Sequence, residues 1–170
     1  FARALIMPNL HPPAANRWLV AAYRARIVAA LPKGARFTPL MALYLTDETD
    51  AADLIAGAKD GVITAAKLYP AGATTNSAAG VTNISRIERV LGAMETADVP
   101  LLVHGEVTNG DVDVFDREAV FIERVLAPLV RRHPGLRIVL EHVTTKEGVA
   151  FVREAGAQIA ATITAHHLLI

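Results

Sequence analysis

The sequence lacks cysteine, net charge and long hydrophobic runs, and each absence excludes a class of protein. Without cysteine there is no disulfide framework, and a metal would have to be held by histidine, carboxylate or a modified side chain. Equal numbers of basic and acidic residues, 17 of each, argue against nucleic acid or a membrane surface as the main partner. The longest apolar run, residues 40–45, is far shorter than the roughly 18 residues of a membrane span. No signal peptide is visible, so we expect a cytoplasmic protein.

Hydrophobic residues make up 52% of the 170 residues, which excludes a disordered chain. They concentrate in six short runs that predict β-strands, and most runs are continuous rather than alternating. Continuous apolar runs are typical of strands that are covered on both faces. The six predicted strands are residues 4–7, 37–45, 63–69, 101–104, 137–142 and 159–164.

Segments with helical periodicity separate these strands. The predicted helices cover residues 16–31, 84–97 and 115–132, the last with an apolar stripe that begins at Phe115. A fourth helix is predicted to open at a capping box formed by Thr144 and Glu147. Alternation of strand and helix predicts a parallel sheet with right-handed crossovers, in either an open doubly wound sheet or a barrel.

Two observations favour the barrel. No strand is followed by the glycine-rich turn of a dinucleotide-binding fold. Polar residues also stand at the C-terminal end of nearly every predicted strand, and in a barrel these ends converge on one mouth. The residues are Asn9, Thr46, Lys67, His104, His142 and Thr164. A complete (β/α)8 TIM barrel needs about 250 residues. We therefore predict an α/β fold, with residues 1–170 forming a single partial TIM-barrel domain of about six β/α units.

Lys67 lies in an apolar strand, where an unpaired ammonium group is costly to bury. Three interpretations are open. In the first, the lysine forms an ion pair with Glu106 or with Glu141. In the second, burial lowers the pKa of the lysine, and the neutral amine forms a Schiff base with a carbonyl substrate, as in an aldolase. Alternatively, the neutral amine captures carbon dioxide and the carbamate acts as a carboxylate ligand for metals.

His104 and His142 end the next two predicted strands, each about one β/α unit further along the chain. A single histidine at a strand end is usually structural, but two imidazoles and an oxygen anion suit a zinc ion. By strand alternation, Glu106 and Glu141 are expected to point away from the barrel interior. We expect a structural role for His133 at a helix C-terminus. His166 and His167, after the last strand, are either structural, which we favour, or line the mouth.

The segment 70–80 is long and consists mainly of small and polar residues, with Gly72 and Gly80 near its ends. It is either a lid over a binding site, in which Thr74 and Thr75 bind substrate, or a solvated surface loop. Asn9, after the first strand, either donates to a substrate carboxylate or caps a turn.

Taken in order along essentially the whole chain, six segments resemble the homodimeric bacterial dihydroorotases of the amidohydrolase superfamily. They are residues 7–10 (MPNL), 66–70 (AKLYP), 74–77 (TTNS), 101–106 (LLVHGE), 115–118 (FDRE) and 141–146 (EHVTTK). The resemblance implies a zinc-dependent (β/α)8 hydrolase that interconverts L-dihydroorotate and N-carbamoyl-L-aspartate in pyrimidine biosynthesis. It also implies a small-molecule substrate and a homodimer.

The resemblance assigns roles to individual residues. N6-carboxylated Lys67 and a hydroxide would bridge two Zn²⁺ ions, with His104 and His142 as further metal ligands. Asn9 and His104 would contact the substrate, and Thr74 and Thr75 would belong to the loop that closes over it.

Two elements of the dihydroorotase pattern are absent from the sequence. They are a His-x-His-x-Arg motif on the first strand and a general-base aspartate on the eighth, expected before Phe1 and after Ile170. The chain would then cover barrel strands 2–7, hold no catalytic base and be inactive alone. Three alternatives stay open: another cyclic amidohydrolase of the hydantoinase or allantoinase kind, a Schiff-base aldolase using Lys67, and a non-catalytic incomplete chain.

Overall fold

Six parallel strands form one sheet in the computed structural model, which describes residues 2–169. The order of the strands in the sheet is their order in the chain, as a barrel requires. They are β1 (Arg3–Ile6), β2 (Thr38–Tyr44), β3 (Ala65–Leu68), β4 (Leu101–Val103), β5 (Ile138–Leu140) and β6 (Ile159–Ala161). All six predicted strands are confirmed, and each ends one to three residues earlier than predicted.

Helices follow the strands and cover the outer face of the sheet. They are α1 (Arg17–Ala29), α2 (Ala51–Lys59), α3 (Glu88–Thr96), α4 (Arg117–Phe121), α5 (Ala127–Arg132) and α6 (Lys146–Glu154). A 3₁₀ turn, Ile84–Ile87, leads into α3, and a π-helical segment, Ile122–Leu126, joins α4 to α5. The short α2 has no counterpart among the predicted helices. No helix within residues 2–169 is long and apolar enough to cross a membrane.

Two details of the predicted helices are wrong. Phe115 was placed on a buried stripe, but it is 85% exposed because α4 begins two residues later, at Arg117. The N-cap of α6 is Thr145, which accepts a hydrogen bond from the backbone of Gly148. Thr144 instead donates to the Glu118 carboxylate, and because N3 is then Gly148, which has no side chain, the predicted capping box does not form.

The main core lies between the sheet and the helices, and a second, smaller cluster lies on the concave face of the sheet. The main core is aliphatic and includes Leu43, Leu54, Leu91 and Leu126. The concave cluster consists of Ala42, Ala65 and Leu102, with Leu5, Met7 and Val139 packed against it. Apolar residues therefore fill both sides of the sheet, which is why the strands read as continuous apolar runs.

Candidate functional site

Strand alternation carries Lys67 to the mouth of the concave face. Ala65 and Lys67 are two residues apart on β3, so their side chains share a face. Ala65 packs against Ala42 and Leu102 in the concave cluster, and Lys67 is paired in register with Leu102 and Tyr44. The small residues fill the interior and Lys67 lies one step closer to the C-terminal ends of the strands.

Lys67 is only 1% exposed, and it is paired with the carboxylate of Glu141. Its Nζ atom also lies 4.9 Å from the centre of the Tyr69 ring. Burial lowers the pKa of Lys67, and the negative charge of Glu141 opposes this shift. The pairing that the sequence left open as one of three interpretations is thus present in the structure.

His104 and His142 face each other beside Lys67, with ring centres 4.8 Å apart. The backbone N–H of His104 still donates to the Leu68 carbonyl at 3.0 Å, so His104 continues β4 and shares the inner face with Leu102. Burial lowers the pKa of His142, and the positive charge of Lys67 lowers it further. Both effects favour the neutral imidazole, which is the form that binds a metal.

The expectation that Glu106 and Glu141 point away from the interior is wrong. Glu141 follows the inward-facing Val139 by two residues, and its backbone N–H still pairs with the Val103 carbonyl at 3.1 Å. It is His142 that leaves the alternation, because its backbone is left-handed, with φ 44°. Glu106 Oε2 lies 3.0 Å from Nε2 of His104, so both carboxylates belong to the site.

Asn9 and the loop 70–80 are joined by reciprocal hydrogen bonds. The Asn9 side chain donates to the Thr75 carbonyl at 3.3 Å, and the Asn76 side chain donates to the Asn9 carbonyl at 3.0 Å. The Tyr44 hydroxyl donates to the Asn76 carbonyl at 3.1 Å. Thr74 lines the same cavity as Lys67, so the loop lies over the mouth of the sheet rather than on a remote surface.

Most of the candidate site residues line one cavity of about 570 Å³. Its polar lining includes Asn9, Lys67, Thr74, His104, Glu141 and His142. His166 and His167 also reach it, although His167 additionally accepts a hydrogen bond from the backbone of Thr164, the N-cap of the 3₁₀ turn Ala165–Leu168. His133 lies elsewhere, held between Glu88 and Glu95 at 3.0 Å from each, which fits the structural role expected for it.

The donor set suits part of a metal centre. Two adjacent imidazoles are nitrogen ligands of the kind that zinc prefers. Within residues 2–169, however, no group of three histidine, cysteine, aspartate or glutamate side chains is arranged to hold a metal ion. Residues 2–169 contain no His-x-His-x-Arg motif. The two histidines therefore form at most part of a metal site within the described residues.

Comparison with known proteins identifies the relatives of this arrangement. No family model matches the chain. The dihydroorotase of Cereibacter sphaeroides is 60% identical over 170 residues, which are 100% of this chain and 49% of that protein. A crystal structure of dihydroorotase from Campylobacter jejuni superimposes with a TM-score of 0.89 at 41% identity, covering 100% of this chain and 48% of that one. Dihydroorotase from Saccharomyces cerevisiae, in complex with 5-fluoroorotic acid, gives 0.87 at 34% identity, covering 99% of this chain and 50% of that one.

The curled six-stranded sheet, with lysine and histidines at the carboxyl ends of its strands, defines part of a (β/α)8 barrel of the metal-dependent hydrolase type. Among such barrels, this chain is similar over its whole length to the dihydroorotases compared above. It spans about half the length of the curated relatives that it matches.

Proposed function

We propose that the chain provides the lysine–histidine part of a dihydroorotase active site. The reaction is the reversible hydrolysis of the cyclic amide of L-dihydroorotate to N-carbamoyl-L-aspartate. The observation that carries the proposal is the convergence of Lys67, His104 and His142 on one mouth, in a chain 60% identical to a dihydroorotase. The relatives compared above are named as dihydroorotases, which favours this substrate over those of a hydantoinase or an aldolase.

We propose that His104, His142 and a carboxylated Lys67 hold zinc, with two ions in each complete site. When bound, such ions polarise the substrate carbonyl and activate water. His104 and His142 support this role because their rings are adjacent and the pKa of His142 is lowered by burial.

Carboxylation of Lys67 would change the charge at the centre of the site. The ammonium first loses a proton to water, and the neutral nitrogen then attacks the carbon of CO₂. An N–C bond forms, one C=O π bond opens onto oxygen, and the nitrogen releases a second proton to water. The product is an anionic carbamate at the position of the ammonium. Because it would repel Glu141, we propose that this carboxylate turns from Lys67 once the carbamate forms.

Asn9 and the loop 70–80 are proposed to bind the substrate carboxylate and cover it. The amide N–H of Asn9 now donates to the Thr75 carbonyl, and a carboxylate is a stronger acceptor than a carbonyl. Exchange of that hydrogen bond would connect substrate binding to movement of Thr74 and Thr75. We also propose a cytoplasmic homodimer; light scattering of the purified protein tests the dimer.

The proposal is tested on the full-length gene product by measuring bound zinc and hydrolysis of L-dihydroorotate together. Lys67→Ala should lose metal and reduce turnover to background. Lys59→Ala, which removes an exposed lysine at the end of α2, is the matched control and should keep both. Retention of zinc and turnover by Lys67→Ala would contradict the assignment, and labelling with ¹³CO₂ followed by NMR detects the carbamate directly.

A chimera provides a second test that depends only on these residues. Residues 1–170 replace the matching segment of the Cereibacter sphaeroides relative, which supplies the rest of the barrel. We expect the chimera to hydrolyse L-dihydroorotate. A folded chimera without that activity would show that this segment does not supply a working part of the site.

A further inference from the structure

The first turn of α4 lies between the segments that follow β4 and β5, each of which carries one of the two histidines. Arg117 and Glu118 open this helix, and their side chains engage different segments. Neither residue lines the cavity that holds Lys67, so neither is placed to touch a substrate there. Their contacts nevertheless lead to both histidines.

Arg117 reaches His104 through one carboxylate. Its Nη1 atom donates to Oε1 of Glu106 at 3.2 Å, and Oε2 of the same group lies 3.0 Å from Nε2 of His104. A carboxylate that holds one ring nitrogen fixes both the rotation and the tautomer of a histidine, and it leaves Nδ1 available as a ligand. Arg117 holds that carboxylate in place.

Glu118 reaches His142 through the backbone. The carboxylate is only 8% exposed and accepts four donors, the N–H groups and hydroxyls of Thr144 and Thr145, at 2.5 to 3.2 Å. Within residues 2–169 no lysine or arginine pairs with it, so these hydrogen bonds compensate its burial. The same carboxylate lies at the N-terminal end of α6, where the helix dipole favours negative charge.

The segment fixed by Glu118 begins two residues after His142. A histidine with φ 44° occupies a sparsely populated backbone region and keeps it only if the neighbouring residues are held firmly. Glu118 holds Thr144 and Thr145 on one side, while the His142 N–H donates to the Thr162 hydroxyl at 2.9 Å on the other. The direction of the His142 ring therefore depends on a carboxylate in the preceding helix.

We propose that Arg117 and Glu118 are positioning residues that together set the His104–His142 pair in its ligand geometry. The inference rests on the proposed function, in which the two histidines bind zinc. The inference adds two residues behind the ligands, both in the first turn of α4. Arg117 acts on His104 through Glu106, and Glu118 acts on His142 through Thr144 and Thr145.

The test uses Glu118→Gln and Arg117→Met in the full-length gene product. Each should weaken zinc binding by about 10- to 100-fold in competition titrations and change the visible spectrum of the cobalt-substituted protein. Turnover should fall while KM changes much less, because neither residue lines the cavity that holds Lys67. Arg117→Lys, which keeps a donor for Glu106, should restore part of the metal affinity.

Glu123→Gln and Arg131→Met are matched controls, because they make the same chemical changes at exposed positions between Arg117 and the end of α5. Both should retain zinc affinity and spectrum. If Glu118→Gln and Arg117→Met lower only the melting temperature and leave zinc affinity and the cobalt spectrum unchanged, the two residues are merely structural and the inference is overturned.

A metal-free measurement separates this inference from the proposed function. If the unmodified protein binds no zinc and does not turn over L-dihydroorotate, the proposed function fails. The ring resonances of His104 and His142 in NMR spectra then still report on positioning. Shifts of these resonances in the two variants but not in the controls support the positioning role, and unshifted resonances overturn it.

Discussion

At the scale of single residues, the left-handed backbone of His142 decides which side chains enter the site. Had residue 142 continued the extended strand, Glu141 would face inward and His142 outward. Positive φ turns the chain after Glu141, so that both side chains reach the mouth. The site thereby gains an imidazole beside His104 and a carboxylate beside Lys67 from adjacent positions.

The Thr162 hydroxyl should contribute to this conformation, because it accepts the His142 N–H at 2.9 Å. Thr162→Val leaves that exposed N–H with only water as its acceptor, and we expect a loss of about 0.5–1 kcal/mol in the free energy of unfolding. Urea denaturation measures the change. Thr38→Val removes a hydroxyl at an exposed strand position and should cost much less. Equal effects of the two substitutions would show that the Thr162 contact is not stabilising.

The pH dependence of stability should be visible at Glu95. Hydrogen bonds from His133 and from the backbone N–H of Gly135 lower the pKa of Glu95 in the folded protein. A carboxylate with a depressed pKa stabilises the fold above its ordinary titration range, and this contribution is lost as the pH falls through the folded-state value. Glu95→Gln should therefore make stability less dependent on pH between about pH 5 and pH 3, as denaturation midpoints across that range would show. An unchanged slope would contradict the prediction.

At the scale of the elements, α4 and α6 approach so closely that one contact position requires glycine. A Cβ atom on Gly148 would lie 2.6 Å from Cγ1 of Val143 and 2.7 Å from Oε1 of Glu118. Both neighbours are buried, so neither has space to move away. The glycine allows the first turn of α6 to lie directly against the carboxylate that holds Thr144 and Thr145.

Gly148→Ala should therefore destabilise the protein by about 1–3 kcal/mol, although alanine is the better helix former. Gly92→Ala in α3 is the matched control, since its nearest neighbour would be Cε1 of His133 at an ordinary 3.9 Å. That substitution should be neutral or stabilise the protein by up to about 1 kcal/mol. Thermal denaturation of both variants decides, and a stabilising Gly148→Ala would disprove the packing argument.

At the scale of the whole molecule, the sheet has two open edges. Within residues 2–169, β1 pairs only with β2, and β6 pairs only with β5. Closing a barrel removes such edges, whereas an open edge exposes unpaired backbone groups to other chains. The exposed Leu168 and Leu169 lie just beyond β6, at 73% and 85% exposure.

Residues 1–170 expressed as an isolated polypeptide should consequently aggregate or form oligomers through these edges. Size-exclusion chromatography with light scattering checks the state of association, and thermal denaturation checks cooperativity. A soluble monomer with one sharp unfolding transition would contradict this prediction. The chimera with the Cereibacter sphaeroides relative should instead behave as a well-folded protein, because both edges gain partner strands.

The order and type of the elements could be predicted from the sequence alone. Strands and helices can be predicted because the spacing of apolar residues along the chain reflects the regular backbone geometry of each element. The positions of Lys67, His104 and His142 at strand ends followed from the same pattern. Their resemblance to dihydroorotase segments pointed to the relatives that the comparisons then found.

Only the tertiary structure decided which groups contact one another. Pairing of Lys67 with Glu141, placement of Glu106 against His104 and capture of Thr144 and Thr145 by Glu118 all join residues on different elements or beyond a strand end. The error over Glu141 shows the reason. Side chains alternate between the two faces of a sheet while the hydrogen bonds between its strands continue. After β5, the left-handed backbone of His142 breaks this alternation and redirects its side chain. Such a turn is stabilised by contacts distant in sequence, which local periodicity does not encode.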